Sequence, residues 1–183
     1  EISIPGEWYI NRENMLLYYY PSEAVESSEL ELAVASYPMF TVNDCKNITF
    51  SGIHFGKTCS DVFYNLADRE KSIENFTVEN CEFSGVGGNA VHFESHIFNA
   101  LYDNEYYSNR IGRVKNIAIR DNIFYNNRQT PIVVYSGDTV ACIDDGLTVS
   151  GNYSTSVSAM GIDANAGLIG GSAVNADISN NLV

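Results

Sequence analysis

Apolar and polar residues alternate with a period of two at five places along the chain: Ile48-Thr49-Phe50, Phe76-Thr77-Val78, Ile117-Ala118-Ile119, Leu147-Thr148-Val149 and Ala176-Asp177-Ile178. Two apolar residues around a small or polar one are the mark of a half-buried strand. Each triplet runs into a two-residue turn, so NITFSGIHF, FTVENCEF, IAIRDNIF, LTVSGN and ADISNNLV are versions of one strand–turn–strand unit. Their first apolar residues stand 28, 41, 30 and 29 residues apart, with an extra loop in the second interval. Self-similarity at this period is what stacked coils produce.

The residue after each turn is Ile53, Cys81, Asn122, Asn152 and Asn181. An Asn recurring at one rung position can hydrogen-bond to its equivalents above and below as a ladder. Helical repeats have no use for this, and a β-sandwich has no reason to repeat one side chain at one offset. The pattern predicts an all-β chain, a right-handed parallel β-helix in which each coil buries one face against a shared interior.

Ahead of the repeat, GEWYINRENMLLYYYP (6–21) reads as a β-hairpin: Trp8-Tyr9-Ile10, a polar turn from Asn11 to Asn14, then Leu16 to Tyr20 closed by Pro21. An apolar run, Leu30 to Ala35, predicts a further strand. The expected organisation is a hairpin and capping segment over 1–37 and about five rungs over 38–183, with a long loop at 94–113. The hairpin's aromatic density suits a lid over the first coil, shielding it or stacking on sugars. Glu1 follows neither a methionine nor a signal peptide, and Val183 falls where another coil should begin. The chain is therefore expected to be a segment of a longer protein, truncated at its C-terminal end. A solenoid cut between rungs exposes core and strand edges, so end-to-end self-association is an expected contact.

Composition narrows the partners. The 183 residues carry 10 Lys plus Arg against 23 Asp plus Glu, a formal net charge of −13. That balance disfavours nucleic acid, anionic lipid and densely anionic polysaccharide, and leaves neutral glycans and cations such as calcium. There is no 18-residue apolar run, so no membrane span is expected. Cys45, Cys59, Cys81 and Cys142 lack the paired spacing of a zinc or redox motif. Cys81 reads as a small core residue, and Cys45 and Cys59, within the first rung, are a candidate disulfide. Asn47-Ile-Thr, Asn75-Phe-Thr and Asn152-Tyr-Ser match glycosylation acceptors, but the first two begin at one place in the repeat and read as by-products of its pattern.

The run Gly6-Glu7-Trp8-Tyr9, Asn11-Arg12 and Leu17-Tyr18-Tyr19-Tyr20-Pro21, followed by Asn47-Ile48-Thr49-Phe50-Ser51-Gly52-Ile53, resembles a sequence common in bacterial secreted right-handed β-helix proteins. Many of these are carbohydrate-active, including relatives of glycoside hydrolase families 120 and 141. The resemblance implies a secreted or cell-surface protein in a polysaccharide context and assigns no catalytic residue. The Gly-His-Gly and paired aspartates of polygalacturonase-type β-helix hydrolases are absent.

Equivalent positions of neighbouring coils lie about 4.8 Å apart, as in any sheet. Retaining glycosidases need carboxyl groups roughly 5–5.5 Å apart and inverting ones roughly 6.5–9.5 Å, so outward carboxylates on nearby coils suit either mechanism. The repeat offsets predict the outward stacks Tyr64, His92, Val133, Asp163 and Leu66, Glu94, Tyr135, Asn165, with Glu82 aligned to His54, Ile123 and Tyr153. None holds two carboxylates.

The candidate catalytic pool is therefore Asp138, Asp144, Asp145, Asp163 and Glu94, with one acting as general acid and another as nucleophile or base. Tyr102, Tyr106 and Tyr107 in the long insertion, with His92, are candidates for binding substrate. Asp144-Asp145 is a weak candidate for calcium. No other cofactor is implied, because His54, His92 and His96 do not form a metal triplet. A polysaccharide lyase would draw its base from Arg110, Arg120 or Arg128. A third reading is a non-catalytic glycan-binding or adhesin-like module.

Overall fold

The computed structural model describes residues 2–24, 31–66, 72–94, 114–135, 145–155, 167–171, 173 and 175–183. The chain divides into two compact units, Glu1–Leu32 and Ala33–Val183. In the first, β1 (Trp8–Asn11) and β2 (Leu16–Tyr19) form an antiparallel hairpin with Trp8 opposite Tyr19 and Asn11 opposite Leu16. Met15 closes the turn with φ 56, and Tyr9 and Tyr18 stack across the strands at 6.4 Å.

The second unit runs β3 (Phe40–Thr41), β4 (Cys45–Ser51), β5 (His54–Thr58), β6 (Phe63–Leu66), β7 (Ile73–Glu79), β8 (Glu82–Val86), β9 (Val91–Glu94), β10 (Val114–Arg120), β11 (Ile123–Tyr125), β12 (Ile132–Tyr135), β13 (Asp145–Ser150), β14 (Tyr153–Thr155), β15 (Ile169–Gly171) and β16 (Asp177–Ser179). These strands make three parallel sheets: a first of order β16-β13-β10-β7-β4, a second of order β14-β11-β8-β5 and a third of order β15-β12-β9-β6-β3. Successive strands thus go to different sheets, and each pass through the three adds one row to all of them. No helix occurs among the described residues, and the repeat is all-β and solenoid-compatible.

The repeat's turn residues explain why each pass closes alike. Between first-sheet and second-sheet strands, Gly52, Asn80, Asp121, Gly151 and Asn180 take left-handed φ values from 52 to 68. Gly, Asn and Asp tolerate that region best. The residues that follow the last four of these, Cys81, Asn122, Asn152 and Asn181, build the ladder. The Cys81 N–H donates to Asn122 Oδ1 at 2.9 Å, that of Asn122 to Asn152 Oδ1 at 3.0 Å, and that of Asn152 to Asn181 Oδ1 at 2.9 Å. The amide Nδ2 groups of Asn122, Asn152 and Asn181 donate back to the carbonyls of Val78, Ile119 and Val149. Asn122 and Asn152 are buried, so these bonds satisfy groups that water does not reach.

A second amide row lies outside, where Asn75 Nδ2 donates to Asn47 Oδ1 and Asn116 Nδ2 to Asn75 Oδ1. Asn47, Asn75 and Asn116 all have left-handed φ. Inside, Phe55, Phe83 and Phe124 stack at 5.1 and 5.0 Å along the second sheet, with Phe63, Phe76 and Phe93 filling the remainder of the aromatic core. The aromatic column ends at Ser154, whose buried Oγ has no hydrogen-bond partner among the described residues.

Three expectations change. Residues 31–36 form no strand, and Leu32 and Val34 are exposed; the strand forms instead at Phe40–Thr41, beyond Pro38. Cys45 and Cys59 are both free thiols, with Cys59 Sγ donating to the Ala33 carbonyl at 2.7 Å. In the column of Tyr64, His92 and Val133, Val133 pairs with Gly170 where the repeat offset put Asp163, which itself lies outside the described residues. The chain after β14 takes seven more residues to return to the third sheet than the repeat offset of 30 allows.

Candidate functional site

Third-sheet strands β6, β9 and β12 end at Leu66, Glu94 and Tyr135, and 19 residues, 95–113, separate β9 from β10. Loops on a rigid scaffold are where function concentrates. On the outer face of this sheet His92 Nδ1 lies 3.0 Å from Asp61 Oδ2, both side chains being largely buried. Asp61 is fixed in turn, since its Oδ1 accepts the Asn89 N–H at 2.6 Å. Tyr64, one coil before His92, meets its ring edge to face at 5.2 Å.

Gly88 makes room for this arrangement. A Cβ there would collide with the Asp61 carboxylate and stand 2.7 Å from the Asp61 nitrogen. The result is an imidazole oriented by a carboxylate and walled by a phenol, a group suited to holding a hydroxyl or moving a proton.

The second sheet carries a different cluster on its outer face. His54, Glu82, Ile123 and Tyr153 stand in one register row, and Gly56, Ser84, Tyr125 and Thr155 in the row beside it. His54 Nε2 lies 2.7 Å from Ser84 Oγ and 3.6 Å from Glu82 Oε1, and Tyr125 Oη donates to Glu82 Oε1 at 3.0 Å. Ser84 and Glu82 thus approach the same nitrogen. An acid across the ring would be needed to orient the imidazole as a base for a serine nucleophile, so the arrangement reads as a polar network.

The expected site residues are dispersed. Glu94 closes β9 two positions beyond His92, in register with Leu66 and Tyr135. Asp145 opens β13 on the first sheet, exposed, with its Oδ1 accepting from Asn175 Nδ2 at 2.8 Å. Asp138, Asp144, Asp163, Tyr102, Tyr106 and Tyr107 lie outside the described residues, as do Arg110 and Cys142. Arg120 is committed to Glu79 at 2.8 Å. Among the described residues no three His, Cys, Asp or Glu side chains are grouped to hold a metal ion, and no helix is long and apolar enough to cross a membrane.

Asp61 escaped the sequence reading because it lies on a corner and not in a strand triplet. The signal was the Gly87-Gly88-Asn89 run one 28-residue coil later. No protein-family model matches this chain, and neither the curated proteins nor the solved structures contain a match to it.

Proposed function

We propose that the chain is part of a secreted, carbohydrate-active protein built on a right-handed parallel β-helix, and that its activity is glycoside hydrolysis at the outer face of the third sheet. The observation that carries this reading is the Asp61–His92–Tyr64 group, seated on the sheet whose strands lead into the long connections bearing Tyr102, Tyr106, Tyr107 and Asp138. The parallel register supports it, because coils about 4.8 Å apart can offer carboxyl groups at glycosidase separations. Glu94 and one of Asp138, Asp144, Asp145 and Asp163 are the acid and its partner. Asp61 holds His92 against substrate and is a positioning residue.

Reducing-sugar release from xylans, arabinans, pectins and complex side-chain glycans tests the assignment, with each carboxylate replaced by its amide. Loss of about 10²-fold or more for two of the pool is expected. Full activity in every amide variant would sink it.

A non-catalytic glycan-binding module is the second reading. Among the described residues no two carboxylates stand opposite each other in strand register, which favours binding for these coils taken alone. Nothing comparable supports a lyase, since Arg120 is already engaged by Glu79.

A further inference from the structure

We propose that the outer face of the second sheet is a binding strip for an extended, uncharged glycan, separate from the third-sheet face. The inference rests on the polysaccharide reading above and adds a second surface to it. Along this face the register places His54, Glu82, Ile123 and Tyr153 one coil apart, with Ser84 and Tyr125 alongside. Ile123 and Tyr153 are 44 % and 43 % exposed, and the Glu82 side chain is 41 % exposed. A sugar ring offers both an apolar C–H face and a rim of hydroxyls. Tyr153 and Ile123 suit the first, while Glu82 and His54 suit the second, His54 being anchored by the buried Ser84 hydroxyl.

The spacing suits a chain of such rings, because one coil advances about 4.8 Å, close to the advance of one sugar unit along an extended glycan. The polar end of the strip is preorganised. The Tyr125 hydroxyl fixes Glu82 at 3.0 Å, and His54 folds back along its own strand to reach Ser84. Gly56 permits that fold, since a Cβ there would stand 2.6 Å from the Ser84 carbonyl oxygen, 3.1 Å from its Oγ and 3.3 Å from His54 Nε2. The Glu82 carboxylate in the row disfavours a uronate chain by like-charge repulsion. The occupant is therefore a neutral polysaccharide.

Affinity electrophoresis of the intact chain through gels containing soluble β-glucan, xylan, mannan or arabinan tests this. At least one gel should retard the chain. Tyr153→Ala and Glu82→Gln should each weaken that retardation about tenfold relative to a polysaccharide-free gel, with unchanged circular dichroism, while Thr49→Ala, exposed on the first sheet, should be retarded as the parent is. Absence of retardation in every gel, or retardation untouched by both second-sheet variants, would overturn the strip. So would a concentration-dependent self-association in sedimentation that Tyr153→Ala abolishes, because the face would then be an interface between copies. Failure of the hydrolase reading is separable: reducing ends would stay at background while retardation persisted.

Discussion

The first and second sheets are laid down by the same coils, yet their outer faces treat charge in opposite ways. On the first, Lys46 Nζ reaches Glu74 Oε1 at 3.2 Å, Lys115 stands in register with Glu74, and Asp145 with Lys115. Arg120 meets Glu79 one coil back. Glu74, Glu79 and Asp145 there each face a base, which favours the native strand pairing. On the second, Glu82 has the Tyr125 hydroxyl and an imidazole for neighbours and sits beside exposed Ile123 and Tyr153. One coil geometry can therefore commit side chains to each other or present them to solvent.

Phe83 is the place to break the comparison hardest. It is fully buried between Phe55 and Phe124, directly behind Glu82 and Ser84. Phe83→Ala should cost about 3–5 kcal/mol in denaturant unfolding, and hydrogen exchange should rise earlier in second-sheet strands than in β13 and β16. Equal acceleration everywhere would mean the sheets fail as one. Next comes the corner shared by both sheets. Asn152→Ala removes the acceptor for the Asn122 N–H and the donor to the Ile119 carbonyl, so about 3 kcal/mol should be lost. A value near zero would mean the ladder is not stabilising.

The smallest effect belongs to the first-sheet face. The hydrogen bond from Lys46 holds the Glu74 carboxyl below its ordinary range, helped by the Ser72 hydroxyl and the charge of Lys115 and opposed by burial. A depressed carboxyl contributes stability above its unfolded pKa, about 4.3, and loses it as pH falls through the lower folded value. Glu74→Gln should therefore lower stability slightly at neutral pH, converge with the parent well below about pH 4.3 where the carboxyl is protonated, and so flatten the acid limb between the two. An unaltered acid limb would show that the pair has no thermodynamic weight.

Much of this architecture is written in the chain. The interval of 28 residues that separates Ile48 from Phe76 reappears as strand register, as do those leading to Ile117 and Leu147. The Asn ladder follows from side chains repeating at one offset, and the hairpin from its polar turn. What fails is arithmetic across irregular connections. The stretch between β14 and β15 is seven residues longer than the offset assumes, so Gly170 stands opposite Val133 in the His92 column. The third-sheet group stayed hidden for another reason. Asp61 acts through a corner, where neither periodicity nor strand alternation marks a side chain, and only the space left by Gly88 admits its carboxylate. On the second sheet the row of Glu82, His54, Ile123 and Tyr153 was legible from the repeat. Its network was not, because the reach of His54 over Gly56 is set by side-chain conformation.

The column of alternating charges has an electrical consequence. Seen from solvent, Lys46, Glu74, Lys115 and Asp145 form a string of opposed dipoles. The field of such a string falls away faster than that of a lone charge, and at physiological salt most of what remains is screened beyond about 8 Å. The formal −13 therefore reaches approaching molecules from carboxylates elsewhere in the chain. To anything diffusing past, this column is close to silent.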